Sequence, residues 1–288
     1  MLKIYMQDKS LRGAKLVNRS MFGETYLLKS GDYFKLFNQF IRLELNADHS
    51  LERKIMQAKP ILEVPEIIIP SKAVFNMQNR FVGYVIPPAE GVDFNHYDDN
   101  YTLEQRSNLV EYGEIFANMT DVVRRANAKK IVFPDLCTCD NIFINNGKIS
   151  FIDYDGIQVG KHKVYAMSTS LGEQEKYCNK KYMDGDLFTS ELDKTSLVYL
   201  YFLSAFNIDL NQIGKIAPGT KKRITLYEVF DILGLQDYDF MQKVYKTISA
   251  DKPGEYIDED VMRIADEYTM EAFGPFMGGH YIKKLTKK

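Results

Sequence analysis

The sequence predicts an α+β protein in two parts, a small β-rich part followed by a larger, mostly α-helical one. Three observations carry this. Over residues 1–87, short runs rich in aromatic and aliphatic residues are separated by tight-turn signals, with room for one helix. Around residues 88–92, the stretch Pro87-Pro88-Ala89-Glu90-Gly91 breaks any regular element and reads as a connector. Beyond the connector the pattern turns mostly helical, with apolar residues at helical spacing in several runs between 102 and 273. A chain of 288 residues is long enough for both parts to share a substantial core.

Taken in order, Lys15-Leu16-Val17, Thr25-Tyr26-Leu27-Leu28 and the run from Asp32 to Phe37 are strand candidates, with Ser30-Gly31-Asp32 as the turn between the last two. A helix is predicted from Ser50 to about Ala58. Pro60, Pro65 and Pro70 then interrupt helix repeatedly. Ala73-Val74-Phe75, a turn at Asn76–Asn79, and Arg80 to Ile86 read as strand, turn, strand. Thr102-Leu103-Glu104-Gln105 is a capping-box start, and Leu109, Tyr112, Phe116, Met119 and Val123 follow at helical spacing up to Lys129-Lys130. Residues 157–189 are polar and aperiodic. Ser190-Glu191-Leu192-Asp193 offers a second capping box, and Ser196 to Leu203 is apolar nearly all round, as a buried helix is. Short helices from Leu226 to Leu233 and from Asp260 to Phe273 complete the chain.

The stretch from Ile131 to Gly156 gathers the chemistry. Ile131-Val132-Phe133 is a short apolar run that stops at Pro134. Asn141-Ile142-Phe143-Ile144, the turn Asn145-Asn146-Gly147, and Lys148 to Ile152 form a hairpin signal that leads into Asp153. Asp135, Asn141 and Asp153 are therefore expected at strand ends around one hairpin. Three oxygen-bearing side chains on one rim suit a hard cation such as Mg²⁺ together with a phosphate group. The alternative is that the aspartates are only turn formers.

The arrangement resembles the protein-kinase superfamily, over nearly the whole chain. Phe133-Pro134-Asp135-Leu136 through Asn141 is similar to the catalytic loop H-R-D-L-x-x-x-N, and Asp153-Tyr154-Asp155-Gly156 to the metal-binding D-F-G. The resemblance implies a bilobal fold: residues 1–87 as a small β-rich lobe with one helix, 88–92 as the hinge, and 93–288 as a larger helical lobe. It implies ATP and Mg²⁺ as cofactors. Asp135 would orient the attacking hydroxyl and accept its proton, and Asn141 and Asp153, with Asp155 adding a carboxylate, would hold the metal. Lys35 in Tyr33-Phe34-Lys35-Leu36-Phe37 would grip the ATP phosphates, with Glu52 its expected partner and Glu44 the runner-up. Asn18 to Gly23 falls where such enzymes carry a glycine-rich phosphate loop; Phe22 would stand at its tip, and only Gly23 of the glycines remains. Backbone groups of Val85 and Ile86 would meet the adenine edge, and Asp193 would brace the catalytic-loop backbone, plain helix capping being its alternative role.

The departures are specific. Phe133 and Pro134 replace the His and Arg of H-R-D, so switching through an activation-loop phosphate on that Arg is not expected. The Asp135-to-Asn141 spacing is one residue longer than the common one, so the loop bulges or Asp140 replaces Asn141. Cys137 stands where a lysine is common, and no A-P-E closes the activation segment. Three readings follow: a phosphotransferase acting on protein Ser/Thr hydroxyls, a pseudokinase scaffold that binds partners, and a small-molecule kinase of the aminoglycoside or choline type, which Asp155 favours. A phosphatase of the haloacid dehalogenase class, with Asp153 as nucleophile and Asp155 as acid, ranks lower because its motif opens a parallel sheet near the N-terminus.

Composition narrows the field. With 26% charged residues and a net charge of −2, no global field attracts nucleic acid or an anionic membrane. No secretory leader and no membrane span are read, and three cysteines fit a reducing cytoplasm. Cys137-Thr138-Cys139 lacks partners at zinc-like spacing.

Overall fold

The computed structural model describes residues 2–56, 63–94, 109–136, 141–162, 164, 182–206, 208, 210, 213–214, 223–249 and 253–267. The chain begins with four strands, β1 (Leu2–Tyr5), β2 (Lys15–Arg19), β3 (Gly23–Leu27) and β4 (Tyr33–Phe37). Helices α1 (Gln39–Asp48) and α2 (Ser50–Met56) follow, then β5 (Lys72–Phe75) and β6 (Phe81–Ile86). The six strands form one sheet in the order β1-β5-β6-β4-β3-β2, in which only the β1–β5 pair is parallel.

Side chains alternate across this sheet with the two-residue period of a strand, except at Val82, where β6 carries an extra residue against β5. Phe37, Ala73, Phe75, Phe81 and Tyr84 join Leu51 and Ile55 of α2 in the main core. Val74, Val82, Val85 and Phe34 point the other way, into a smaller cluster with Ile4 and Leu28. Strand β2 is exposed along its whole length on the open edge. Its pairing with β3 skips Val17, leaving a bulge between Leu16 and Asn18.

Two features of this part differ from expectation. Strand β1 is present; Leu2–Tyr5 buries only Ile4, too little alternation to read as a strand. Two helices stand where one was expected, because His49 adopts a left-handed conformation (φ 54°) that breaks α1 from α2.

Beyond Pro87-Pro88 come β7 (Val92–Asp93), the long helix α3 (Leu109–Ala128), β8 (Ile131–Val132), β9 (Ile142–Asn145), β10 (Lys148–Phe151) and β11 (Gln158–Val159). The β9–β10 hairpin closes on Asn146 and Gly147, with φ of 51° and 74°, the two positive values a type I′ turn demands. Strand β7 pairs with the outer side of β9, and β8 pairs with β11. Segment 66–68 is tied to β10: Phe151 N–H donates to Glu66 O and Ile68 N–H to Phe151 O, each 2.8 Å. This stitch joins the six-stranded sheet to the hairpin.

A short hairpin, β12 (Met183–Asp184) and β13 (Leu187–Phe188), leads into α4 (Ser190–Phe206), followed by α5 (Leu226–Leu233), α6 (Tyr238–Ser249) and α7 (Asp258–Glu267). Helix α4 is buried on most sides, as its apolar run predicts. Its Tyr201 packs edge-on against Phe116 of α3 at 5.1 Å between ring centres, and Phe202 meets Phe230 and Phe240 from α5 and α6. The capping box of α5 lies at Thr225 and Glu228, and Gly234 ends that helix in a left-handed cap. The predicted start of α3 at Thr102–Gln105 and the residues beyond 267 lie outside the described residues. Among the described residues no helix is long and apolar enough to cross a membrane.

Gly23 opens β3 opposite Phe37, where a Cβ would lie 2.2 Å from Leu36 O. Gly23→Ala is therefore expected to destabilise the fold by about 1–3 kcal/mol through backbone displacement, read as a lower midpoint in urea denaturation at unchanged slope.

Candidate functional site

A cavity of about 520 Å³ lies between the six-stranded sheet and the β9–β10 hairpin. Val17, Phe22, Thr25, Lys35 and Ile86 of the sheet side face it, as does Pro87 of the connector. Asp135, Asn141, Phe143, Ile152 and Asp153 line it from the hairpin side. The three residues expected at one rim thus open onto one cavity with Lys35. Ile152 N–H donates to Asn141 O at 2.9 Å, which brings the start of β9 against the end of β10 and sets Asn141 beside Asp153.

Lys35 is the centre of charge. Its Nζ lies 2.5 Å from Asp153 Oδ1 and 2.9 Å from both carboxylate oxygens of Asp155, residues 118 and 120 positions along the chain. Burial would lower the ammonium's pKa, but the facing carboxylates of Asp153 and Asp155 win and hold it above the ordinary lysine range. Asp155 is wholly buried and also accepts from Tyr84 Oη. Burial acts to raise its pKa; Lys35 and the tyrosine hydroxyl overcome this and keep it below the usual carboxylate value. Asp153 is partly open to the cavity, and burial together with the neighbouring Asp155 charge pushes it above the usual range against the pull of Lys35.

The expected Glu52–Lys35 pair is not made. Glu52 Oε2 lies 3.0 Å from His49 Nδ1, and Lys35's ion pairs among the described residues are with Asp153 and Asp155. Helix geometry gives the reason. Leu51, Lys54 and Ile55 share the buried face of α2, whereas Glu52 lies on a more open side. The side chain of Glu44 lies outside the described residues. What α2 sends inward is Lys54, only 1% exposed. Its Nζ donates to Tyr154 O (2.9 Å), Asp155 O (3.1 Å) and Ile157 O (2.7 Å). Tyr154 Oη donates back to Lys54 O at 3.2 Å, which accounts for a tyrosine at this buried position. Burial pushes the Lys54 ammonium down to about 7, against the attraction of Asp155 and Asp153.

Asp193 is wholly buried in the first turn of α4, yet its carboxylate does not cap that helix. Oδ1 accepts from Phe133 N–H at 2.9 Å and Oδ2 from Asn127 Nδ2 at 2.6 Å. Asn127 also donates to Ile131 O and accepts from Tyr256 Oη. The backbone leading into Asp135 is therefore held from α3, α4 and the residues before α7.

The remaining expectations divide. Phe22 and Ile86 line the cavity. Gly23 is buried against Leu36 of β4 by the packing of the sheet, so its lack of a side chain has a cause apart from any phosphate. Val85 turns its side chain into the cluster on the far sheet face, and its carbonyl accepts from Ser71 N–H at 2.8 Å, so Val85 O is already engaged. Asp155 does not suit the metal role given it, since both its oxygens are taken by Lys35 and Tyr84. Residues 137–140, with the cysteine pair and Asp140, and most of 157–189 lie outside the described residues.

Asn141 and Asp153 present hard oxygen donors to the cavity. That set fits Mg²⁺, which takes one or two carboxylates and completes its shell from water and phosphate. Among the described residues no three His, Cys, Asp or Glu side chains form a metal cage. Lys54, Tyr84 and Asn127 were not foreseen as part of this site. For Lys54 a signal was available, a lysine between Leu51 and Ile55 on an apolar helix face; for Tyr84 and Asn127 the sequence carries none. The chain matches no protein-family model, and no curated protein matches its sequence.

Burial pushes the Asp193 carboxyl up to about 7 from an ordinary 3.8, the N–H groups of Asn127 and Phe133 opposing it. With the folded value above the unfolded one, the stability linked to this proton is full below about pH 4 and is lost as pH rises through about 7. Urea unfolding from pH 4 to 7 is expected to show wild type losing stability more steeply than Asp193→Asn, by roughly 2–4 kcal/mol over the interval.

Proposed function

We propose that this chain is an ATP-dependent phosphotransferase of the protein-kinase-like fold, with a small β-rich lobe, a hinge near Pro87-Pro88 and a larger helical lobe, and with a protein serine or threonine hydroxyl as acceptor. The observation that carries the reading is the convergence on one cavity of Lys35 from the sheet with Asp135, Asn141 and Asp153 from the hairpin side. Phosphoryl transfer needs positioning and charge neutralisation more than covalent help, and these four side chains supply the parts it requires.

Lys35 carries a positive charge at the cavity wall and neutralises phosphate oxygens. Asp135 orients the acceptor hydroxyl and takes its proton. Asn141 and Asp153 would hold Mg²⁺, which when bound offsets the charge on the phosphates. Asp155 and Tyr84 keep Lys35 ionised and aimed, and Asp193 keeps the approach to Asp135 rigid.

A second reading, a nucleotide-binding scaffold without transfer, is favoured by Phe133-Pro134 in place of His-Arg and by a phosphate loop whose remaining glycine is explained by sheet packing.

The experiment is incubation of the purified chain with radiolabelled ATP and Mg²⁺, alone and with protein acceptors. Wild type should label. Asp135→Ala should lose transfer by about 10²-fold or more while keeping the nucleotide-dependent rise in melting temperature, and Asp153→Ala should lose both transfer and the Mg²⁺ dependence of that rise. Transfer by Asp135→Ala at the wild-type rate overturns the reading. A nucleotide-dependent rise with no label in wild type selects the scaffold.

A further inference from the structure

We propose that Lys54 is a positioning residue that holds the Asp153–Ile157 turn, so that α2 governs the metal-binding carboxylate through backbone carbonyls and not through Lys35. The inference rests on the phosphotransfer reading for its metal, but its geometry is independent of it.

Tyr154, Asp155 and Ile157 aim three carbonyls at one point, and the three N–H bonds of a single ammonium satisfy them. Tyr154 O also accepts from Ile157 N–H at 3.3 Å, but buried carbonyls left short of donors are expensive, so loss of Lys54 loosens the turn. The turn also carries strain. Asp153 sits at φ 59°, ψ 56°, a left-handed conformation that a non-glycine residue holds only when its surroundings enforce it. Other contacts help to enforce it: Gly156 N–H donates to Asp153 O at 2.8 Å, Ile157 N–H to Tyr154 O at 3.3 Å, and Lys35 holds the Asp153 side chain. Lys54 clamps the residues immediately after Asp153 and thereby sets where the carboxylate points. The link reaches across 100 residues of sequence, from the middle of α2 to the end of the hairpin. Lys35, in contrast, takes both carboxylate partners from the turn itself. Displacing α2 would therefore release the turn first, and Lys35 only in consequence.

Two measurements on Lys54→Met test this, with Met56→Ala, an exposed position on the same helix, as control. Hydrogen exchange of the nucleotide-free protein should show the Gly156 and Ile157 amides about tenfold faster in Lys54→Met, with the amides of β4 and α3 unchanged. The Mg²⁺ concentration for half-maximal nucleotide-dependent stabilisation should rise about tenfold or more, as when an outer support of a metal ligand is lost, while Mg²⁺-free nucleotide affinity changes much less. Met56→Ala should move neither. Turn amides that exchange as in wild type, or that accelerate only in step with the whole protein, overturn the proposal. Should Lys54→Met not fold, Lys54→Arg is read by the same exchange measurement, with a locally loosened turn expected from the altered donor geometry and an unchanged turn counting against the proposal. If wild type shows no nucleotide-dependent stabilisation, the phosphotransfer reading falls, and the exchange data still decide whether Lys54 holds the turn.

Discussion

A lysine ammonium held under a β-sheet must have an anion, and the choice of anion organises this molecule. Lys35 projects from the middle of β4 and finds Asp153 and Asp155, both from the turn after β10. Taking such charges out of water is costly, and the cost is offset only when geometry and hydrogen bonding are good. Here both Asp155 oxygens lie at bonding distance from the ammonium, and the Tyr84 hydroxyl adds a third donor. A network of this kind gives little net stability compared with an apolar core of the same volume. What it specifies is register: β4, β6 and the turn have one relative placement in which all the charges are matched.

That placement is reinforced from two directions. The main-chain stitch between Glu66, Ile68 and Phe151 fixes the height of the hairpin under the sheet. Asp193, Asn127 and Tyr256 fix the strand that delivers Asp135. The cavity therefore has walls whose polar groups are anchored at their own backbones, so its charged side chains face the interior with little freedom left to lose on binding.

Much of this was legible in the sequence and some was not, for identifiable reasons. The β9–β10 hairpin announced itself through Asn146-Gly147, a pair that tolerates the two positive φ values its turn needs. Helix α5 was bounded by its own caps at Thr225 and Gly234. Local signals of this sort depend on residues near in sequence. The gathering of Asp135, Asn141 and Asp153 followed from the hairpin pattern, whereas Lys35 beside them was anticipated only through the resemblance to a known family. Glu52 fails as the lysine's partner because it lies off the buried face of α2, and Lys35 pairs with the turn after β10. Leu51, Lys54 and Ile55 marked the inward face, but a lysine among apolar residues reads at first as surface. Strand β1 went unread because its partner lies some 70 residues away and its own four residues bury one side chain.

Strand β2 borders the cavity while forming the open edge of the sheet, and this sets two demands against each other. An unprotected edge offers a ready template for a strand from another molecule, yet a helix laid along it would pack over Val17 and Asn18, which line the cavity. The extra residue at Val17 answers both. It interrupts the row of donors and acceptors that an incoming strand would need to zip against, so β2 stays exposed without inviting fibre-like stacking between copies.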